Sequence, residues 1–419
     1  MIRPSLRVLL TTDFFHPHIG GAERQVRLLA GVLARRGHEV RVATVWQPGL
    51  REDEIIDGVP VDRLRAVATS VPWFSGDSGR RFVPPAPDPA LVVGLRRQLV
   101  RWRPEIIHAS GWIAYASGVA AAGRSTSLAI SVRDYGYACA TRTLLQDGVR
   151  LCSGPAPAKC LDCAAHHYGT PKGAAAVVGV AAGRPLLART VRGVHSVSRF
   201  VETALRRDLA HGPDWDRVRF ERIPDVVEPA QEMPLSPAER GLVDRLPQQT
   251  FILFVGALLP HKGLGVLLEA YERLTDPPPL VLIGTRWPDT PELPASVIVL
   301  SDVPHPVVMA AWRRARFGVV PSVWPDPLPG TVREAMVSGR AVIGSDIGGI
   351  PDMIEHGSNG LLVPPGDAGA LTDAMGRLLD DPDLCARLGE AGRLSVAELG
   401  PDVIAQRFES FYRGILDAA

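Results

Sequence analysis

Three stretches of this chain join a helix start or tight loop to groups that can hold an anion. Gly20-Gly21 stands between a β-rich apolar run and a helical one. Glycines let the backbone approach an anion closely, and a helix start offers free N–H groups at the positive end of its dipole. The other reading is a plain βα turn. Lys262 lies in Pro260-His261-Lys262-Gly263, again between a strand signal and a helix signal. The chain has only three lysines, Lys159, Lys172 and Lys262, against a background of arginine. A compact ammonium in such a loop can neutralise a phosphate; a solvated loop lysine is the alternative. Gly330-Thr331 opens a helix behind a loop that holds Asp326 among Pro325, Pro327 and Pro329. Its amides can take anionic oxygens. Thr331-x-x-Glu334 also reads as a capping box, in which Glu334 would serve its own helix.

A fourth cluster is of another kind. Cys139, Cys152, Cys160 and Cys163 follow the spacing C-x12-C-x7-C-x2-C. Four thiolates so placed suit a closed, structural zinc site with no open catalytic position. The segment between them is rich in Pro and Gly and lacks a clear helix or strand period. His166 and His167 are alternative ligands, and a set of free thiols is the other reading. Cys385, on a helical stretch, reads as a small buried hydrophobe. His108 ends a strand and His18 sits in the loop before Gly20. Both are candidates to touch a substrate, and both have bland readings as a packed strand end and a solvated loop. Asp214-Trp215-Asp216 is a D-x-D string in a Gly-Pro loop and reads as a surface turn.

These residues need elements to hold them. Arg7–Thr12 reads as a strand, followed by a helix with Ala22, Val26, Leu29, Ala30 and Leu33 on one face. Further strands are expected at Val40–Thr44, Ile106–Ala109, Leu128–Val132 and His195–Ser198. The second half repeats the pattern, with strands at Thr250–Val255, Leu280–Gly284, Val297–Leu300, Phe317–Pro321 and Ala341–Ser345. Helices fall near 264–274, 305–315, 331–338, 368–379 and 384–398. Strands alternating with helices imply parallel sheets covered on both faces. The fold class is α/β, with two Rossmann-like doubly wound domains facing a cleft. Residues 1–226 make the first and 227–400 the second. The Pro-rich stretch 224–247 links them, and a final helix at 401–419 packs back on the first. Val403, Ile404, Phe408, Phe411, Tyr412 and Ile415 are its apolar positions.

The 419 residues carry 46 Lys+Arg and 45 Asp+Glu, a net charge of +1. This excludes a nucleic-acid binder driven by overall basic charge. The total hides a split. Residues 1–226 hold 31 basic and 20 acidic residues, and the remainder holds 15 and 25. A basic first domain suits an anionic partner or a membrane surface. The Arg96–Arg103 segment reads as a solvated helix face or as a basic surface for anionic lipid. No run reaches the ~18 apolar residues of a membrane span. The expectation is a cytoplasmic protein, with peripheral contact at the inner membrane face as an open alternative.

Taken in order, several segments resemble the retaining, nucleotide-sugar-dependent glycosyltransferases of family 4, which have the GT-B fold. They are Gly20-Gly21-Ala22-Glu23, Gly37-His38-Glu39-Val40, Arg133-Asp134-Tyr135, Phe254-Val255-Gly256, Pro260-His261-Lys262-Gly263, Pro321-Ser322 through Glu334-Ala335-Met336, Gly348-Gly349-Ile350-Pro351-Asp352 and His356 through Pro364. The resemblance implies that Asp326 holds the donor-sugar hydroxyls and Glu334 the ribose hydroxyls. Lys262 and the amides of Gly20, Gly21, Gly330 and Thr331 would stabilise the departing diphosphate. It also implies a nucleotide-diphosphate sugar as donor, a hydroxyl acceptor and no catalytic metal.

Three positions depart from that pattern. The first acid is Asp326 rather than glutamate, Ala257 replaces an arginine, and Arg133 replaces the histidine before Asp-Tyr. Arg133 could supply the guanidinium missing at 257, its fork taking two phosphate oxygens, or it could pair with an acid and play no part. A nucleotide-sugar epimerase of the same architecture and a non-catalytic sugar-nucleotide-binding scaffold stay open as alternatives.

Overall fold

A computed structural model describes residues 4–18, 20–70, 81, 83–148, 150–228 and 234–418. Contacts divide the chain into two compact units: Met1–Val226 with Pro401–Ala419, and Val227–Gly400.

Unit 1 begins β1 (Arg7–Thr12), α1 (Gly21–Arg35), β2 (Glu39–Val45), β3 (Asp53–Ile56), β4 (Val59–Leu64), α2 (Pro89–Trp102), β5 (Ile106–Ser110), α3 (Ile113–Ala121) and β6 (Ser127–Val132). It continues with the small hairpin β7 (Leu145–Gln146) and β8 (Arg150–Leu151), then α4 (Pro157–Tyr168), α5 (Thr170–Thr190), β9 (Val191–Ser196), α6 (Arg199–Asp208) and β10 (Arg219–Arg222). The sheet order is β10-β9-β6-β5-β1-β2-β4-β3, parallel except where β3 returns beside β4. Strands β5 and β6 are buried along their whole length, as a sheet covered on both faces requires. Helix α1 buries Val26, Leu29, Ala30 and Leu33, four of the five positions its period selected. Gln25 on the same helix clamps Val226 from both sides. Its Oε1 accepts from Val226 N at 2.8 Å, and its Nε2 donates to Val226 O at 3.1 Å.

One part of unit 1 differs from expectation. The cysteine segment contains a helix, because Cys160 and Cys163 both lie on α4. Of α4 only Ala164 is fully buried, so there was no apolar stripe to reveal its period. Strand β9 starts four residues earlier than the expected His195.

Unit 2 runs α7 (Pro237–Val243), β11 (Ile252–Val255), α8 (Leu264–Glu272), β12 (Leu280–Ile283), β13 (Ile298–Leu300), α9 (His305–Arg314), β14 (Phe317–Val320), α10 (Gly330–Val337), β15 (Ala341–Ser345), β16 (Leu361–Val363), α11 (Ala368–Asp380) and α12 (Pro382–Ala397). Its sheet is wholly parallel, in the order β13-β12-β11-β14-β15-β16. Alternate residues of β11 feed two cores. Ile252 and Phe254 join one face of the sheet, and Leu253, with Phe251 just before the strand, joins the other. From β11 the chain steps outward to β12 and β13, then returns to place β14 on the opposite side of β11. The strand order therefore reverses between β11 and β14. In open parallel sheets ligands bind beyond the carboxyl ends of the strands at such a reversal.

The chain then returns to unit 1 as α13 (Pro401–Leu416). Ile404, Phe408, Phe411, Tyr412 and Ile415 are buried, whereas Val403 is exposed. Glu409 fixes the helix to α1 and its following turn, accepting from Arg36 Nε at 2.6 Å and lying 3.1 Å from His38 Nε2. Among the described residues no helix is long and apolar enough to cross a membrane. Residues 229–233 of the expected link lie outside the described residues.

Candidate active site

The carboxyl end of the unit 2 sheet gathers the charged residues singled out in its sequence. Beyond β11, Pro260–Lys262 forms one 3-10 turn, closed by Gly263 in a left-handed conformation at φ +79°. A Cβ at 263 would collide with the carbonyl oxygen of Pro321, at the end of β14. Val323 N donates to His261 O at 3.0 Å. The loops after β11 and β14 are thus locked backbone to backbone across the strand-order reversal.

This lock brings Lys262 and Asp326 together. Lys262 Nζ lies 2.5 Å from Asp326 Oδ2 and 5.0 Å from the centre of the Trp324 ring. Asp326 is buried, while the lysine side chain keeps a quarter of its surface exposed. The His261 ring meets the same indole edge-on at 5.4 Å. Burial, and secondarily the charge of Lys262, hold His261 down to about 4, so it is neutral at pH 7. The Gly348-Gly349 loop supports Asp326 from behind. Gly349 N donates to Asp326 O at 2.7 Å, and a Cβ on Gly348 would strike the same peptide.

Glu334 projects from α10, eight residues beyond Asp326. The helix starts at Gly330 with Pro329 as its N-cap, and no side chain caps it. Glu334 therefore does not form the capping box that Thr331 suggested. Its Oε1 lies 3.0 Å from His305 Nε2, and its Oε2 accepts from Trp312 Nε1 at 3.3 Å. His305, Trp312 and Trp324 were not legible as site residues in the sequence, because their partners are 29, 22 and 62 residues away.

In unit 1, Gly20 is the N-cap of α1 with extended backbone, and Gly21 is its first residue. The carboxylate of Glu23 folds back against Gly20, where a Cβ would collide with it. His18 is half-buried with its ring 5.8 Å from Phe14. His108 is not at a surface. It is 3 % exposed, its Nδ1 lies 2.8 Å from Tyr412 Oη, and α13 covers it. Burial pushes its pKa well below the ordinary histidine value, so it packs rather than meeting an acceptor. Arg133 is paired with Asp225, both side chains nearly buried. Of its two readings, pairing with an acid is the one the structure displays.

The cysteines are all free thiols. Cys139 Sγ lies 3.3 Å from Thr141 Oγ1, Cys152 Sγ donates to Gly154 O at 3.4 Å, and Cys160 Sγ accepts from Ala156 N at 3.3 Å. Cys163 Sγ accepts from Asp147 N at 3.5 Å. Among the described residues no group of three His, Cys, Asp or Glu is arranged to hold a metal ion. Each thiol is engaged with nearby main chain or hydroxyl groups, and Cys139 and Cys152 lie near enough to Cys163 to add to the rise that burial causes in its pKa. Asp214-Trp215-Asp216 lies at a 3-10 turn, Pro213–Trp215, with Trp215 buried and both acids exposed.

Another charged cluster in unit 1 went unnoticed in the sequence. Asp13, just beyond β1, accepts from Trp112 N at 2.9 Å and Ile113 N at 2.7 Å, at the start of α3. Arg142 bridges it to Asp134, 2.6 Å from one carboxylate and 3.5 Å from the other. Burial raises the Asp13 pKa, against the opposing pull of Arg142.

Comparison with known proteins agrees with this architecture. Residues 20–225 match the "Glycosyl transferase 4-like domain" family, and residues 243–395 match "Glycosyl transferases group 1". A D-inositol 3-phosphate glycosyltransferase of Streptomyces griseus is 28% identical over 274 residues, covering 59% of this chain and 58% of that protein. The chain thus spans little more than half the length of that relative. Among solved structures, sucrose-phosphate synthase of Thermosynechococcus elongatus superposes with a TM-score of 0.73 at 20% identity, covering 99% of this chain and 100% of the other. HepE of Anabaena, in complex with UDP and glucose, gives 0.69 at 16%, covering 97% and 100%. With a 4-like domain followed by a group 1 domain, each built on its own Rossmann-like sheet, the chain belongs to the group 1, family 4-like glycosyl transferases.

Proposed function

We propose that the protein is a retaining glycosyltransferase. It moves a sugar from a nucleotide-diphosphate sugar, bound mainly by unit 2, to a hydroxyl acceptor bound mainly by unit 1. The observation that carries the donor half is the Lys262–Asp326 pair at the strand-order reversal, 2.5 Å between charged atoms. Donor binding exchanges partners there. The ammonium turns to a diphosphate oxygen, and the carboxylate accepts from sugar hydroxyls. Each charge keeps a partner through the exchange, which limits its desolvation cost. Glu334 accepts from the ribose hydroxyls. The amides at Gly330-Thr331 and Gly20-Gly21 take diphosphate oxygens.

In the transfer step the bond from the anomeric carbon to the diphosphate breaks, and one to the acceptor oxygen forms on the same face. The acceptor's proton goes to the departing diphosphate. No side chain is needed as a nucleophile, so catalysis is positioning plus stabilisation of the leaving charge. The basic excess of residues 1–226, 31 against 20, favours an anionic acceptor, such as a phosphorylated or lipid-linked one. The name of the Streptomyces griseus relative points to a phosphorylated acceptor for that protein.

The test is incubation with UDP-, GDP-, ADP- and dTDP-sugars, with and without acceptor mixtures, while free nucleotide is measured. Release from one donor names it, and the anomeric proton coupling of the product shows whether configuration is kept. An inverted product would sink the retaining assignment, and a sugar epimer without transfer would point to an epimerase. A second reading, a scaffold that binds a sugar nucleotide without turnover, has one observation in its favour. Ala257 lacks a cation, and Arg133 is already neutralised by Asp225. Binding with no turnover in any acceptor mixture would select it.

A further inference from the structure

On the reading that Glu334 receives the donor's ribose, we propose that His305 and Trp312 are positioning residues. They fix the Glu334 carboxylate in the orientation that accepts two neighbouring ribose hydroxyls. The two donors lie seven residues apart on α9, two helical turns along one face. Each takes one carboxylate oxygen, His305 Nε2 at 3.0 Å from Oε1 and Trp312 Nε1 at 3.3 Å from Oε2. An indole N–H can only donate, so its bond to the carboxylate has one possible direction. A carboxylate has about four lone-pair sites, more than these two bonds use. Glu334 keeps 21% of its side chain exposed, enough for a ligand to reach it.

The packing around Trp312 shows why its N–H is where it is. The indole is fully buried against β14, and a Cβ on Gly318 would collide with the six-membered ring. Glycine at 318 therefore lets the ring lie flat on the strand, with its N–H emerging at Glu334. His305, the first residue of α9, supplies the second donor and is one-third exposed. A glutamate on a one-turn lever has several rotamers; bonds to both oxygens select one before the nucleotide arrives.

The experiment compares UDP, GDP and ADP, each with its 2′-deoxy counterpart, by calorimetric titration of the full chain. The tightest pair defines the ribose preference of the unaltered protein, expected to be about tenfold or more for hydroxyls held by a charged acceptor. His305→Ala and Trp312→Phe should each reduce that ratio to about threefold or less, with little change in affinity for the deoxynucleotide. His305→Gln, which restores an N–H donor, should recover most of it. A merely structural role would weaken both nucleotides alike and leave the ratio unchanged. If the unaltered protein shows the preference, Glu334→Gln abolishes it and both other variants retain it, the positioning role is wrong while the Glu334 assignment stands. If the unaltered protein shows no preference, the assignment of Glu334 fails, and the positioning role with it. His305 is partly exposed, so its variants remain informative even if Trp312→Phe fails to fold.

Discussion

At the scale of single residues, Lys262 is the side chain with most at stake. Its 2.5 Å contact with Asp326 is partly solvent-exposed on the lysine side, so screening keeps its worth to stability small. Its proposed worth to the reaction is larger, because it faces charge that grows as the diphosphate leaves. Lys262→Ala should lower kcat/KM for the donor by roughly 10²–10³, the usual cost of removing one donor to developing negative charge. Thermal unfolding should shift by no more than a few degrees. Retention of kcat/KM within threefold, measured by nucleotide release, would remove Lys262 from the mechanism. The rarity of lysine made this residue visible in the sequence. Arg133 and His108 show the limit of such reading. Asp225, the partner of Arg133, is 92 residues away, and Tyr412, the partner of His108, is 304 residues away. A side chain's chemistry is legible from its type, but its availability is set by what the fold brings against it.

At the scale of elements, two glycines on either side of one helix start carry opposite demands. Gly263 is held at φ +79° with the Pro321 carbonyl oxygen where a Cβ would go. Gly265, in the first turn of α8, has open space around its Cβ position. Gly263→Ala adds left-handed strain, which costs about 1–3 kcal/mol, and a backbone collision that must push the β11 and β14 loops apart. Gly265→Ala gains up to ~1 kcal/mol of helix propensity. Denaturant titrations of the two variants should therefore move in opposite directions. Gly263→Ala should also lose donor affinity, because Lys262 and Asp326 sit on the two loops it separates. Equal, small shifts for both would mean that the loop contact does not hold the site. The strands and helices of this unit were legible because β11, β12, β14 and β15 are short apolar runs between Gly- and Pro-containing loops. Helix α4 was not, since one fully buried alanine gives no period to detect. Its Cys-x2-Cys spacing is one turn of that helix, which sets Cys160 and Cys163 on the same side of it.

At the scale of the whole molecule, the near-zero charge is a sum over two differently charged units. The returning segment 401–419 adds two basic and three acidic residues to unit 1, leaving that unit at +10 and unit 2 at −9. The same segment completes the core of unit 1 by covering the histidine pair His108 and His195, whose rings are 5.7 Å apart. His195 Nδ1 lies 2.8 Å from Ser131 Oγ, and Nε2 lies 2.8 Å from the Ile223 carbonyl oxygen. A neutral ring satisfies both, donating to the carbonyl and accepting from the hydroxyl. Burial, then the charge of Arg133, push His195 down to about 3. An unfolded histidine titrates near ~6.5. Between those values the unfolded chain binds a proton that the folded chain refuses, so stability is full above about 6.5 and is lost as pH falls towards 3. The loss approaches ~1.4 kcal/mol per pH unit for one such group, and His108 adds to it in the same direction. Glu409 contributes below that range. Burial raises its pKa, but Arg36 and His38 outweigh burial and leave it lowered. Its stabilisation is present above the ordinary glutamate range and is lost as pH falls through its folded value. The histidines should thus make the unaltered protein easier to denature from pH 7 to pH 5, while Asp13 and Asp62, whose pKa values burial raises, act in the opposite direction. His195→Gln should flatten that slope by the share of one histidine, even though it lowers stability at pH 7. The same slope in both proteins, measured by urea titration at pH 5, 6 and 7, would show that the buried histidines do not set the pH response of unit 1.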